Sequence, residues 1–302
     1  MSSRSPRSWS IAGLGALVVL NVVLIALLVL RPAPAVDDEQ SARPSPVATA
    51  DGVSPAKEEP PPLAPGTAVS AAPTERRIVN ADGTTAWRAT VGECGTPGTL
   101  ERTVDGGQTW EQVPSPLGPV SRVRVLGPQS LFAIGGGEDC VPTYVSSSDG
   151  GSGWSTNDQF LDGSWYLTPS DPTTMATPSG QTSVPCEAVD LAALDVSDAA
   201  VLCSDGRLAL TADGGASWSE VAPAVDATAI GVADAGYVLA GAHDACGDAV
   251  AVGLAGTDGA VPAQPSCVTA APGPLAVAGV GASLWLWAGD EVQVSTDGGQ
   301  SW

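Results

Sequence analysis

One octapeptide recurs four times along the chain, and its chemistry suits little except a tight bend between two β-strands. Thr103–Trp110 reads TVDGGQTW, Ser147–Trp154 SSDGGSGW, Thr211–Trp218 TADGGASW and Ser295–Trp302 STDGGQSW. The shared pattern is [ST]-x-D-G-G-x-x-W, and GTDGA at Gly256–Ala260 is an eroded fifth copy without the second Gly or the Trp. The aspartates Asp105, Asp149, Asp213, Asp258 and Asp297 follow one another at 44, 64, 45 and 39 residues. A carboxylate there accepts N–H groups from the residues after it and fixes the turn. The paired glycines, Gly106 and Gly107, Gly150 and Gly151, Gly214 and Gly215, and Gly298 and Gly299, permit positive φ. The indoles of Trp110, Trp154, Trp218 and Trp302 then offer a large apolar body that pins each turn to a sheet. The aspartates are therefore expected to be structural.

The sequence around these turns is all-β in texture from about Glu75: short apolar runs with β-branched residues, broken by Gly, Asp and Ser, and no long helical period. The first quarter differs. Ile11–Leu30 is uncharged and at ~1.5 Å per residue spans roughly 30 Å, the thickness of a hydrocarbon core. It is expected to be a transmembrane signal-anchor (11–30) behind a short cytoplasmic tail (1–10). Arg4 and Arg7 precede it and Asp37, Asp38 and Glu39 follow, which orients the rest of the chain outwards. The alternative is secretion after cleavage at the A-x-A-like Ala33–Ala35. Residues 31–73, rich in Pro, Ala and Ser, are read as a flexible extracytoplasmic linker.

From Glu75 onward 27 acidic residues face seven Arg and no Lys. Such a surface repels phosphate backbones, so nucleic acid is excluded as a partner. All six cysteines, Cys94, Cys140, Cys186, Cys203, Cys246 and Cys267, lie in this outer part, where oxidation favours disulfides. Sequence alone allows 15 pairings. There is no CxxC pair and His243 is the single histidine, so no metal site is expected. The acidic turns lack the oxygen-rich spacing of a dedicated calcium loop, and no cofactor is anticipated.

The octapeptide resembles the Asp box, or BNR repeat, of sialidases and related β-propellers, in which it closes the turn between the third and fourth strands of a blade. The resemblance implies an all-β propeller over 74–302 with about five four-stranded blades. The 64-residue interval is read as one blade plus a long insertion near Leu161–Pro185; a degenerate blade hidden there would make six. The last repeat ends with its turn, and Gly66–Pro73 is expected to lend it a fourth strand, as ring closure in propellers often does. In this register the second strands end at Cys94, Cys140, Cys203 and Cys246, while Cys186 and Cys267 fall just ahead of first strands. All six then share one rim, pairing Cys186 with Cys203, Cys246 with Cys267 across neighbouring blades, and Cys94 with Cys140.

A sialidase activity does not follow from the resemblance. That family uses three arginines and a Tyr–Glu pair, whereas RRIVNAD at Arg76 is not its opening motif, and Tyr144, Tyr166 and Tyr237 have no evident Glu partner. His243 alone does not make a triad. The chain is closer to the non-catalytic propellers similar to the photosystem II assembly factor and to sortilin-like domains. No catalytic residue is therefore assigned. The expected function is a membrane-anchored scaffold for a protein, peptide or glycan of the cell envelope, with a sialidase-like glycoside hydrolase as the alternative. Among Tyr144, Trp165, Tyr166, Trp285 and Trp287, the pair Trp165 and Tyr166 in the insertion is the leading candidate ligand surface. Trp285 and Trp287, alternating with Leu284 and Leu286, are read first as packing between blades.

Overall fold

The computed structural model describes residues 75–168, 173–223, 225–260 and 264–302, all within the compact unit Leu63–Trp302. The span expected at 11–30, the linker at 31–73 and the strand donor Gly66–Pro73 lie outside the described residues. Among those described, no helix is long and apolar enough to cross a membrane.

Six antiparallel sheets follow one another along the chain. The first blade starts with β1 (Arg76–Asn80) and β2 (Ala86–Thr90). A two-residue ladder, β3 (Gly92–Glu93) with β4 (Thr96–Pro97), interrupts it before β5 (Leu100–Thr103) and β6 (Glu111–Val113). The second blade holds β7 (Val120–Gly127), β8 (Ser130–Gly136), β9 (Pro142–Ser147) and β10 (Ser155–Thr156). The third has β11 (Tyr166–Leu167), β12 (Thr174–Thr177) and β13 (Gly180–Ser183). The fourth has β14 (Ala188–Ala193), β15 (Ala199–Cys203), β16 (Leu208–Thr211) and β17 (Ser219–Val221). The fifth has β18 (Asp226–Ala233), β19 (Gly236–Ala242), β20 (Val250–Gly256) and β21 (Ser266–Val268), and the sixth β22 (Leu275–Val280), β23 (Ser283–Ala288) and β24 (Glu291–Ser295). First strands are inner strands: β1 neighbours both β7 and β22, and β7, β11, β14, β18 and β22 adjoin in turn, so the ring closes. The molecule is a six-bladed propeller.

The count decides between the two readings of 161–185: it is the degenerate blade that makes six, not a surface insertion. That stretch is a blade with three described strands and no Asp-Gly-Gly turn, and β12 and β13 join through Thr177 and Gly180 instead. A blade without the octapeptide leaves no periodic mark. The fourth strand of the fifth blade is Ser266–Val268, paired with β20.

Each sheet buries both faces, because each is pressed between two neighbours. Strand β23 shows this plainly, with Leu284, Trp285, Leu286, Trp287 and Ala288 all buried. Its leucines pack towards the fifth blade, against Val238 and Val252, and its tryptophans towards the first, against Ile78 and Ala86. The core is thus split into seams. Trp87 and Leu131 meet between blades one and two, Ile134 and Tyr166 between two and three, and Met175 and Val201 between three and four. Leu202 and Leu239 meet between four and five. At ~25 cal/mol per Å² of buried apolar area, these seams supply the main driving force for closing the ring.

All three disulfides have the expected partners: Cys94–Cys140, Cys186–Cys203 and Cys246–Cys267. One placement differs. Cys267 sits in β21, opposite Ala251 of β20, so Cys246–Cys267 closes the fifth blade on itself and does not join neighbours. Cys94–Cys140 is the bridge between blades, tying the first to the second.

Candidate functional site

The four complete turns are built alike. In the first, the Thr103 hydroxyl donates to Asp105 Oδ1 at 2.7 Å and accepts the Gly107 N–H at 3.1 Å. The same carboxylate accepts the Thr109 N–H at 2.9 Å and the Thr109 hydroxyl at 2.6 Å. Thr211, Asp213, Gly215 and Ser217 repeat the pattern, as do Ser295, Asp297, Gly299 and Ser301. Ser147, Asp149 and Gly151 do so with Gly153 in the last position, which removes the hydroxyl donor. The second glycine has φ of 85° at Gly107 and 87° at Gly215, which a side chain rarely adopts.

Each turn is also stitched to the turn between the first two strands of its own blade. Gly106 N donates to Thr84 O at 2.9 Å, Gly150 N to Gln129 O at 2.8 Å, Gly214 N to Ser197 O at 3.0 Å and Gly298 N to Ala282 O at 2.8 Å. The two sets of turns therefore share one rim. The indoles act between blades: Trp110 meets Trp285 edge-on at 6.4 Å, Trp218 meets Trp165 at 6.3 Å, and Trp154 Nε1 donates to Pro114 O at 2.9 Å. Trp302 packs against the seam of blades five and six.

These hydrogen bonds hold the aspartates well below the ordinary 3.8. The hydroxyl and then the amide of the fourth residue beyond lower Asp105, Asp213 and Asp297 to about 2. Asp149 is lowered chiefly by the Gly153 N–H. A depressed folded pKa gives stability that is present above the unfolded value and is lost as pH falls through the folded one. Urea melts are expected to hold level from neutral pH to about 4 and to fall between about 4 and 2. In Asp213→Asn that acid-dependent fall should shrink. An unchanged acid limb would mean the turn carboxylates do not sense folding.

The eroded copy behaves differently. Asp258 Oδ1 accepts from Ala260 N at 2.9 Å, but Gly259 N donates to Gly256 O and not to the turn opposite. Where the stitch is lost, a cavity of about 460 Å³ opens, walled by Ala233–Tyr237, Leu254–Gly256, Ala260, Gly281, Leu284 and Gly298. Its wall is apolar apart from Asp234 and Tyr237. Tyr237 is 1% exposed and its hydroxyl has no hydrogen-bond partner among the described residues. Burial, with Asp198 and Asp195 nearby, pushes that phenol's pKa up.

The larger cavity, about 540 Å³, is the central channel, lined by β1, β7, β14, β18, β22 and the turns after them. Arg76, Arg77, Arg122 and Arg124 line it, four of the seven arginines beyond Glu75. Arg77 donates to Asp190 Oδ1 at 2.7 Å across the ring, and the buried Asp190 also accepts from Leu191 N. Arg124 donates to Ala193 O at 2.5 Å and Leu194 O at 2.7 Å. Arg76 donates to Gly289 O and stacks on Trp287 at 4.4 Å. Arg122 has only Trp165 O, at 3.1 Å, and the Phe132 ring at 5.3 Å. Desolvation first, then repulsion from Arg124 and Arg77, lowers its pKa to about 9.

Trp165 and Tyr166, expected at a ligand surface, are 2% and 9% exposed and belong to the seams. Trp165 Nε1 donates to Asp195 O at 2.8 Å, so this pair is packing. His243 caps a three-residue 3-10 turn by accepting the Ala245 N–H. No cluster among the described residues could hold a metal ion. The channel arginines were not singled out by sequence reasoning. The signal was present, since Arg76, Arg77, Arg122 and Arg124 all fall in first strands of repeats, and those strands line the axis of any propeller.

No protein-family model matches the chain, and no curated protein does. Among solved structures it is similar to YCF48 bound to a D1 peptide, at 21% identity over 74% of this chain and 64% of that one, with a TM-score of 0.28. A GH74 xyloglucanase from Xanthomonas campestris aligns at 18% identity over 75% of this chain and 37% of its own, with a TM-score of 0.28. The Aleuria aurantia lectin in complex with a methyl fucoside aligns at 12% over 77% and 98%, with a TM-score of 0.44. The chain thus spans less than two thirds of the first two, and at these identities the likeness is one of fold.

Proposed function

We propose that the chain is a membrane-anchored, extracytoplasmic binding propeller of the Asp-box type that presents its central channel and turn rim to a protein or peptide of the cell envelope. The observation that carries this reading is a closed, disulfide-braced ring in which an arginine-lined channel opens beside an apolar pocket. The channel and rim carboxylates have structural work. Asp190 is ion-paired, Asp195 accepts the Ser197 and Asp198 amides, and the perturbed turn aspartates are shifted downward, away from what a general acid needs. Three oxidised pairs suit a chain exported by the apolar stretch 11–30. Leu126, near the end of β7, and Val196, in the turn between β14 and β15, are 64% and 68% exposed and add apolar contact area to the rim.

Photo-crosslinkers placed in the full chain at Leu126 and Val196 should trap a defined envelope polypeptide, and one at Phe160, after β10, should trap it far less. In intact cells, external protease should degrade the propeller, and removal of 11–30 should release it from membranes. Robust turnover of a glycoside, abolished by one carboxylate substitution, would replace this reading with the hydrolase alternative.

A further inference from the structure

The seam between blades one and two and the seam between blades five and six differ at one point near the turn rim. In the first, Arg102 rises from β5 opposite Trp87 and stacks over its ring at 5.4 Å. Its Nη2 donates to Pro128 O at 3.1 Å, and its Nη1 lies 2.6 Å from where a Cβ on Gly150 would stand. The guanidinium thus fills the space between the turn after β7 and the glycine turn of the second blade. In the other seam the residue in this register is Leu254. It stands opposite Val238, on the face turned to the sixth blade, as Arg102 stands opposite Trp87 on the face turned to the second. Gly298 takes the place of Gly150. Gly281, just before the stitch carbonyl of Ala282, takes that of Pro128, just before the stitch carbonyl of Gln129. A leucine ends where the arginine stem would go on to its head. Leu254, Gly281 and Gly298 all wall the cavity of about 460 Å³, and a Cβ on either glycine would meet nothing within 4 Å.

We propose that this cavity takes an arginine side chain of a partner polypeptide, in the place that Arg102 fills in the first seam. The charges around it suit a cation. Asp234 is in its wall, and Asp258 Oδ1 lies 2.8 Å from where a Cβ on the wall residue Gly256 would stand. Both aspartates are exposed and neither has a basic partner among the described residues. No arginine or lysine lines the cavity. The Gly281 carbonyl accepts no hydrogen bond among the described residues and stands where Pro128 O receives Arg102. Leu254 and Leu284 offer apolar surface to the methylene stem, and the planar head carries several donors in a fixed fork, which a lysine lacks. The net charge of −21 on the chain draws a basic segment towards this surface. The cavity opens at the rim that carries Leu126 and Val196, so an arginine beside apolar residues would engage both. This assignment rests on the reading of the propeller as a binding module and deepens it by giving the partner's chemistry.

The intact, oxidised full chain is titrated calorimetrically with N-acetyl-Ala-Ala-Arg-Ala-Ala-amide and with the same peptide carrying citrulline, which keeps the shape and loses the charge. The arginine peptide is expected to bind at least about tenfold more tightly, the effect of charge-assisted hydrogen bonds. Leu254→Arg, which puts the chain's own guanidinium into the cavity, should abolish that binding. Asp234→Asn, at an exposed position, should weaken it several-fold. Equal binding of the two peptides overturns the proposal. So does arginine binding that survives in a Leu254→Arg protein that melts normally, since the site would then lie elsewhere on the acidic surface. If Leu254→Arg does not fold, undiminished binding in Asp234→Asn and in Ala235→Trp, which fills an exposed part of the wall, overturns it equally. N-acetyl-arginine amide binding as tightly as the peptide would overturn the assignment to a polypeptide. Failure here with the Leu126 and Val196 crosslinks retained would leave the binding reading standing and remove only this partner chemistry.

Discussion

Removing the Cys94–Cys140 bridge by Cys94→Ser with Cys140→Ser is expected to destabilise the propeller by about 4 kcal/mol, the largest effect of the three disulfides. The bridge spans 46 residues, against 17 and 21 for the other two. The chain entropy it removes from the unfolded state grows with the logarithm of that span, giving roughly 4 kcal/mol against about 3 for each of the others. Topology points the same way. Cys186–Cys203 and Cys246–Cys267 each close a loop inside one blade, whereas Cys94–Cys140 joins two blades. Losing ~4 kcal/mol is a large share of the 5–15 kcal/mol typical of a folded domain. Urea melts of the three paired-serine variants would rank them, and equal losses would show that span and blade connection do not govern the effect.

Trp285→Ala is expected to lose about 3–5 kcal/mol, the range for a large core aromatic cut to alanine. Trp285 is fully buried in β23 at the seam where the sixth blade meets the first. Its indole N–H donates to Asp82 O at 3.2 Å, and the edge of Trp110 meets its ring. A Cβ added to Gly107 would stand 3.3 Å from it, so the turn of the first blade rests directly on this ring. No disulfide crosses this seam. Closure among the described residues therefore depends on side-chain packing there, and the cavity should open the ring at that point. Faster proteolysis between the first and sixth blades would accompany the lower melting midpoint. Trp285→Phe, which keeps most of the volume and loses the N–H, should recover part of the stability. A Trp285→Ala protein as stable as the parent would place ring closure elsewhere.

Much of the fold is legible in the residues because turn chemistry is local. The sequence [ST]-x-D-G-G-x-x-W closes its hydrogen bonds within eight positions, so its four copies announce the turns at Asp105, Asp149, Asp213 and Asp297 without help from the rest of the chain. With the turns fixed, most of the strands between them follow from spacing, and the three cysteine pairs follow only once the blade register that the family resemblance implies is laid over them. The third blade was not legible as such. Its strands reverse through Thr177–Gly180, a bend with no repeated signature, and only its neighbours' faces make it a blade.

The binding chemistry belongs to tertiary structure for the same reason. Arg77 and Asp190 lie 113 residues apart and meet only because the ring brings β1 and β14 to one axis. Trp165 and Tyr166 look in sequence like an exposed aromatic pair and are buried because adjacent sheets close over them. The pocket of the fifth blade lies where a hydrogen bond is missing, and that absence has meaning only beside the four blades whose turns are stitched. The sequence alone determined where the chain turns at the four octapeptides, since those hydrogen bonds are short-ranged; which cysteines pair took the blade register as well. Ring closure decided the number of blades, which side chains are buried and what faces the channel, since each depends on surfaces that meet only when the last blade reaches the first.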